Sequence, residues 1–259
     1  MALRSLLRHG VLSVLGRLSR PSAAPALRLL YCHHVSDAER PGFAAAMDYL
    51  GSIGDFISTR DVLRVLGGER ALTRHAFHLS FDDGLKNVLK NALPVLRERS
   101  VPAVLFVATS VISNPGKFPH LQRQNAGDTV LLEHASWRDL EGAVAQGFEI
   151  GSHTCSHVRL SEISSFDRQM EDEVAGSRQE LARRFGACNY MSWPYGGPAD
   201  IDARSLAAIE KAGYHACFGA FRGRIEPGVT NRFKIPRHHF EPHWPLSHVR
   251  FFAHGAGEP

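Results

Sequence analysis

Cysteine is scarce and scattered in this chain. Its 259 residues include four, Cys32, Cys155, Cys188 and Cys217, with no C-x-x-C pair. Free thiols buried beside apolar stretches are the simplest reading, and such usage fits a reducing compartment better than an oxidising one. A large charge excess is also missing. The formal net charge is only +4, so the global basic field of a nucleic-acid binder is absent. No helix-turn-helix, RNA-binding or zinc-finger spacing occurs either, which argues against nucleic acid as a partner. There is no internal repeat and no low-complexity tract. With 44% hydrophobic and 22% charged residues, composition is ordinary for a globular chain and disorder is not indicated. The length suits one large domain of the sandwich or α/β-barrel kind.

A long apolar run is lacking at the amino terminus. Leu3, Leu6, Leu7, Val11, Leu15 and Leu18 fall at helical spacing, but Arg4, Arg8 and Arg17 interrupt them. Roughly 20 uninterrupted apolar residues are needed to span a bilayer, so residues 1–26 read as a basic amphipathic segment preceding a domain at 27–259. Through residue 28 there are five arginines, Arg20 and Arg28 included, and no acid. The segment either packs on the domain or lies peripherally on an anionic membrane surface. The expected location is cytoplasmic, peripheral at the inner membrane face in the second case. Secretion or a periplasmic location is the alternative, since Ala24-Pro25-Ala26 loosely imitates a cleavage site, and the acid-free leader also resembles a transit peptide.

Beyond it, strand and helix patterns alternate. Strands are expected at Leu27–Val35, Phe77–Phe81, Val101–Val107, Phe148–Ser152, Asn189–Trp193, His215–Phe218 and Phe233–Pro236. Helices are expected at Phe43–Ile53, Thr59–Leu66 with Thr59 as N-cap, Lys86–Arg99, Ser136–Gln146, Asp167–Phe185 and Asp202–Ala212. Asn114 to Thr129 reads as an inserted loop. Such alternation predicts a parallel sheet in an α/β fold, a distorted or partial (β/α) barrel forming a single catalytic domain. Chemistry in such folds collects where strands end. The polar clusters Asp82-Asp83, His153, Pro194-Tyr195 and His238 all fall just after expected strands.

The first of these is Ser80-Phe81-Asp82-Asp83-Gly84. Adjacent carboxylates at the end of an apolar strand are costly unless paired, metal-bound or solvated. Successive side chains on an extended chain point in opposite directions, so one carboxylate can ligate a metal while its neighbour takes another task. Alone, Asp-Asp-Gly reads most simply as a surface turn. The second cluster is His153-Thr154-Cys155-Ser156-His157, whose histidines could converge on one metal. Combined with an upstream carboxylate they give a two-histidine, one-carboxylate site with open positions. That set suits Zn²⁺, and also Co²⁺, Fe²⁺ or Ni²⁺.

S-F-D-D-G, then H-T-x-S-H, then W-P-Y-G, in this order, resemble the polysaccharide deacetylase family (carbohydrate esterase family four, the NodB-homology domain). Leu30 to Val35 and Ile235-Pro236-Arg237 resemble its exopolysaccharide-type branch. The resemblance implies a hydrolase that removes N-acetyl groups from amino sugars of a polysaccharide or its precursor. It implies Asp82 as catalytic base, Asp83, His153 and His157 as metal ligands, and Trp193, Pro194 and Tyr195 as walls of the sugar pocket. Two departures stand out. The third motif usually opens with an arginine that orients the base, but Ser192 occupies that place, and Arg237 is the nearby candidate to replace it. The closing Leu-x-His motif that supplies a general acid is absent. A permuted arrangement would use His33, or His34, with His238 and His239 as further candidates. These departures keep two alternatives open: a metal-containing carbohydrate-binding protein of weak activity, and a deacylase for a different amide or ester.

Overall fold

The computed structural model describes residues 10, 12–122, 132–163, 166–256 and 258. Strand β1 (Leu27–Cys32) is followed by α1 (Arg40–Ile53), β2 (Gly54–Phe56), α2 (Thr59–Leu66) and β3 (His75–Phe81). A π-helical turn at Val88–Ala92 leads into α3 (Leu93–Glu98), then β4 (Ala103–Val107) and α4 (Thr109–Ser113). The carboxyl half runs α5 (Trp137–Ala145), β5 (Glu149–Ser152), α6 (Phe166–Glu171), α7 (Ser177–Phe185), β6 (Tyr190–Ser192), α8 (Ala203–Lys211), β7 (Ala216–Phe218), β8 (His238–His239) and α9 (Leu246–Ala253).

Strand order is β7-β6-β5-β4-β3-β1-β8, with β2 also on β3. Every strand pairing is parallel. Parallel strands flanked by helices are buried on both faces, and β1, β3 and β4 are buried at every position. Ile235 pairs with Phe218 of β7, and a few residues later His238 pairs with Leu30 of β1. The segment 235–239 therefore touches both edges of the sheet and curls it into a distorted (β/α) barrel. Alternation sorts the side chains. Leu79, Phe81, Leu105 and Val107 face the helices, while Leu29, Val104, Phe106 and Phe218 fill the interior. All carboxyl ends of the strands open on one rim.

Several expectations shift. Ser58, not Thr59, caps α2, because its hydroxyl accepts from Asp61 N–H while Thr59 is already helical. The expected strand at Phe233–Pro236 is a single bridge at Ile235, and the paired strand is His238–His239. The expected loop at 114–129 holds short 3₁₀ turns at Pro115–Lys117 and Pro119–Gln122, and the rest of it lies outside the described residues. Residues 12–18 are helical. Gly16 lies against the Ser247 backbone, and Ser13 and Ser19 bond to His248 and His254, so this part of the leader packs along α9. No helix among the described residues is long and apolar enough to cross a membrane.

Candidate active site

The Asp82-Asp83 pair sits on the rim at the end of β3. Asp82 is still extended, its N–H bonded to Cys32 O, so it shares the inward parity of Ser80. Asp83 then takes a left-handed conformation, φ 68°, followed by Gly84 at φ 66°. This reversal turns the second carboxylate away from the first. A Cβ on Gly84 would stand 2.8 Å from Val107 Cγ1, so glycine is needed for space as well as conformation.

Asp82 is buried, 3% exposed, and faces Arg237, which is 0% exposed. The guanidinium forms a fork on the carboxylate, Nη1 to Oδ1 at 2.8 Å and Nη2 to Oδ2 at 2.7 Å. Its other hydrogens go to Ser80 Oγ, Ser192 Oγ and Gly219 O. All five donors are used, and planarity fixes the carboxylate. Burial pushes the Asp82 pKa up, but the charge of Arg237, with His153 and His33, holds it below the usual carboxylate range. Ser192 is small enough to leave room for this guanidinium, and Arg237 comes from the barrel-closing segment. The cation sought near Asp82 thus arrives from a different strand than the usual arginine.

Asp83 Oδ1 lies 3.4 Å from His153 Nε2 and 3.2 Å from His157 Nε2. The three ligand atoms all fall within 4.8 Å of one another. His153 Nδ1 donates to Ser192 O at 2.7 Å, which leaves Nε2 for a ligand. Asp83 Oδ1 is buried with no hydrogen-bond partner. Burial opposes ionisation of Asp83, but the two imidazoles beside it hold its pKa well below the usual range. Burial likewise disfavours charge on His153, yet Asp83 and Asp82 raise its pKa. A carboxylate oxygen and two imidazole nitrogens converging without a donor of their own fit a divalent cation.

The loop carrying both histidines is strained, with Thr154 at φ 66° and His157 at φ 58°. Glu173, in the π-helical turn Asp172–Gly176, holds it by accepting from Cys155 N–H, Ser156 N–H and the Ser156 hydroxyl. Sequence reasoning missed Glu173, because in a helical pattern it looks like any other surface acid. Arg159 pairs with Asp200, tying this loop to the one after β6.

Of the expected sugar-pocket walls, only Tyr195 has exposed surface, at 53%. Its ring meets His157 edge-on and stacks under Arg159. Trp193 is 0% exposed, packs on Phe221 and donates to Gly197 O. Pro194 is buried too. Strand parity and the turn after β6 place both in the packing behind the rim.

The candidate general acids separate clearly. His33 lies in the field of Asp83 and Asp82; burial lowers its pKa and the two carboxylates oppose that. Its ring is 5.6 Å from that of His239, which sits 3.0 Å from Glu241. His34 instead faces Glu39 at 3.6 Å, and His238 faces Glu258 at 3.7 Å. Neither of those two joins the cluster. Three cysteines are buried and free, while Cys155 is half-buried.

Residues 69–217 match the family described as polysaccharide deacetylase. The YxkH protein of Bacillus subtilis (strain 168) is 22% identical over 223 residues, covering 83% of this chain and 69% of that one. IcaB from Ammonifex degensii superposes with a TM-score of 0.70 at 22% identity, covering 89% of this chain and 98% of that one. The Streptococcus pyogenes deacetylase PplD, solved in complex with acetate, gives 0.70 at 16% identity, with 87% and 97% covered. The BpsB deacetylase domain of Bordetella bronchiseptica gives 0.63 at 15% identity, with 85% and 97% covered.

Proposed function

The chain belongs to the polysaccharide deacetylase family, and from that premise we propose that it is a metal-dependent hydrolase that frees acetate from N-acetylated amino sugars of a polysaccharide or its precursor. The observation that carries this is the division of labour between two adjacent carboxylates. Asp82 is committed to Arg237 inside the barrel, while Asp83 faces His153 and His157 at the rim.

Asp83, His153 and His157 would hold the cation, Zn²⁺ being the first choice for this ligand set. When bound, such an ion lowers the pKa of water and polarises the amide carbonyl. Asp82, kept ionised and oriented by Arg237, takes the proton from the attacking water. A backbone N–H near Tyr195 stabilises the developing oxyanion. His33 donates the proton that lets the amine leave, with the His239–Glu241 pair beside it. Tyr195 offers an exposed aromatic face to the sugar. Arg237 in contact with Asp82 answers one of the two grounds for a metal-containing carbohydrate-binding protein of weak activity, the missing arginine of the third motif; the absent Leu-x-His motif is the other.

The test is acetate release from N-acetylglucosamine oligomers, lipid-linked sugars and O-acetyl esters, with the metal removed by chelator and restored. Activity on the first class that tracks metal content supports the reading. Turnover by Asp82→Asn at the parent rate would refute the assigned base.

Peripheral membrane contact is a second element of the proposal. Val14, Leu15 and Leu18 are exposed on the leader helix, beside the exposed Arg17 and Arg20. Cosedimentation with anionic rather than neutral vesicles, lost in Leu15→Ser/Leu18→Ser, is the expected result.

A further inference from the structure

Tyr31 has no assigned role, yet it touches both halves of the site. It lies near the end of β1, opposite Ser80 of β3 on one side and His239 of β8 on the other. Leu30 and Cys32 face the helices, so alternation turns Tyr31 inward with Leu29. The residue is 6% exposed. Its carbonyl accepts from Phe240 N–H at 3.0 Å, which ties the segment carrying His239 to β1.

Three contacts define the ring's surroundings. The Arg237 guanidinium carbon lies over its face, 4.5 Å from the centroid. The His33 ring meets it edge-on, with centroids 5.5 Å apart and planes at 74°. The His239 ring is tilted against it at 5.1 Å, and the two imidazoles are 5.6 Å from each other. Arg237 cannot drift, because its donors are all taken by Asp82, Ser80, Ser192 and Gly219. A fixed cation attracts and seats an aromatic face. That ring, together with the imidazole of His239, then walls two sides of His33. Burial pushes the Tyr31 hydroxyl up to about 12, with the Arg237 charge opposing, so the side chain stays neutral and serves as a spacer rather than a proton carrier.

We propose that Tyr31 is a positioning residue: its ring, seated on Arg237, holds the His33 imidazole where it protonates the departing amine. The base Asp82 and the acid His33 thereby take their places from one anchored guanidinium. This rests on the deacetylase reading above, with His33 as its acid. The flat ring does the positioning, and the hydroxyl is not required for it.

The experiment exploits the leaving group. An amine must be protonated as its C–N bond breaks, whereas 4-nitrophenolate leaves 4-nitrophenyl acetate without a proton. Loss of a positioned acid therefore slows the amide and spares the ester, and His33→Gln sets the reference for that pattern. The parent, His33→Gln, Tyr31→Phe, Tyr31→Leu and Tyr31→Met are compared by kcat and KM on an N-acetylglucosamine tetramer and on 4-nitrophenyl acetate, with metal content measured for each. In Tyr31→Leu, kcat on the tetramer is expected to fall about a hundredfold, with KM, metal content and the ester rate within about twofold of the parent. Phe keeps the ring and should recover most of the rate. Met fills the space with a flexible chain and should behave as Leu, so it carries the test if the Leu variant does not fold. Amide turnover at the parent rate in the Leu or Met variant overturns the proposal. An equal loss on amide and ester also overturns it, because the damage would then lie at the metal or the base. A Phe variant as slow as Leu would assign the effect to the hydroxyl, against the proposal. If His33→Gln turns over the amide at the parent rate, His33 is not the acid and the proposal falls with it. If the parent releases no acetate from the tetramer, the deacetylase reading falls first and takes this one along.

Discussion

Replacing Arg237 by methionine isolates what the buried guanidinium does. Methionine has similar length and no charge, so the change removes five donated hydrogen bonds, two of them to Asp82. Breaking one side of a buried ion pair leaves an uncompensated charge and typically costs about 3–5 kcal/mol. Asp82 can escape by taking up a proton, since burial already pushes its pKa up and Arg237 is the largest influence holding it down. Two consequences follow. In the parent, the depressed carboxyl contributes stability above the unfolded-state pKa, and that contribution is lost as pH falls through the folded value. In the variant the folded pKa is the higher one, so Asp82 instead destabilises the fold as pH rises from the unfolded-state value towards it. The acid limb of kcat/KM, which reports ionisation of the base, must move to higher pH.

The assay is a pH–rate profile of acetate release alongside urea unfolding at several pH values. Arg237→Lys should fall between, because an ammonium retains charge but not the fork. Ser192→Arg should destabilise on its own, since Ser192 Oγ lies 2.6 Å from Arg237 Nη2 and two guanidinium groups would share one space. Pairing it with Arg237→Ser should recover part of the loss by restoring an arginine from the other strand. An Arg237→Met enzyme with the parent's acid limb and stability would refute this account of Asp82.

Glu173→Gln keeps the shape but weakens the three bonds that hold the 155–156 turn; metal affinity should drop by about tenfold or more with little change in Tm, measured by competition with a chromogenic chelator. Gly84→Ala must place a methyl group 2.8 Å from Val107 at positive φ, so a loss of at least about 1–3 kcal/mol is expected in denaturant melts. His78 is stacked on Phe218 and bonded to Thr59, and burial followed by the Arg237 charge lowers its pKa from 6.5 to about 3. The unfolded chain therefore binds the proton first as pH falls below 6.5, and stability should decline by about 1.4 kcal/mol from this residue at pH 5.5. Urea midpoints for His78→Leu should lose that part of the pH dependence.

The alternation of strands and helices was legible because buried parallel strands are apolar runs and the helices between them keep a 3.6-residue period. What escaped had weaker signals. Strand β2 is three residues long, α4 five, and α9 is a helix of mixed polar and aromatic residues that reads as a tail until it is seen packed on α1. The cluster of Asp83, His153 and His157 was legible from motif spacing because its members lie within two short stretches, Asp82-Asp83 and His153 to His157. Contacts between distant stretches were not. Asp82 and Arg237 are separated by 155 positions, and only the barrel-closing run from Ile235 to His239 brings them together. The same limit explains Trp193: its motif was visible, but strand parity and the turn after β6, which bury it, were not. Glu173 had no local pattern to mark it, since its significance lies in the N–H groups of the distant loop that it holds.

Strain links these pieces. Five non-glycine residues have positive φ among those described, and four of them, Asp83, Thr154, His157 and Tyr195, stand at this one rim. Each costs on the order of 1–3 kcal/mol and persists only where surrounding contacts determine it. Those contacts are specific here: Gly84 fits against Val107 after Asp83, Glu173 grips the loop between Thr154 and His157, and Arg159 covers Tyr195. At Asp83 the reversal is what allows two neighbouring carboxylates to face different partners. A strand that simply continued would send residue 83 toward the helix layer and deprive both imidazoles of their anion. The barrel's stability is thus spent at the point where backbone geometry separates the proposed base from the proposed metal ligand one residue away.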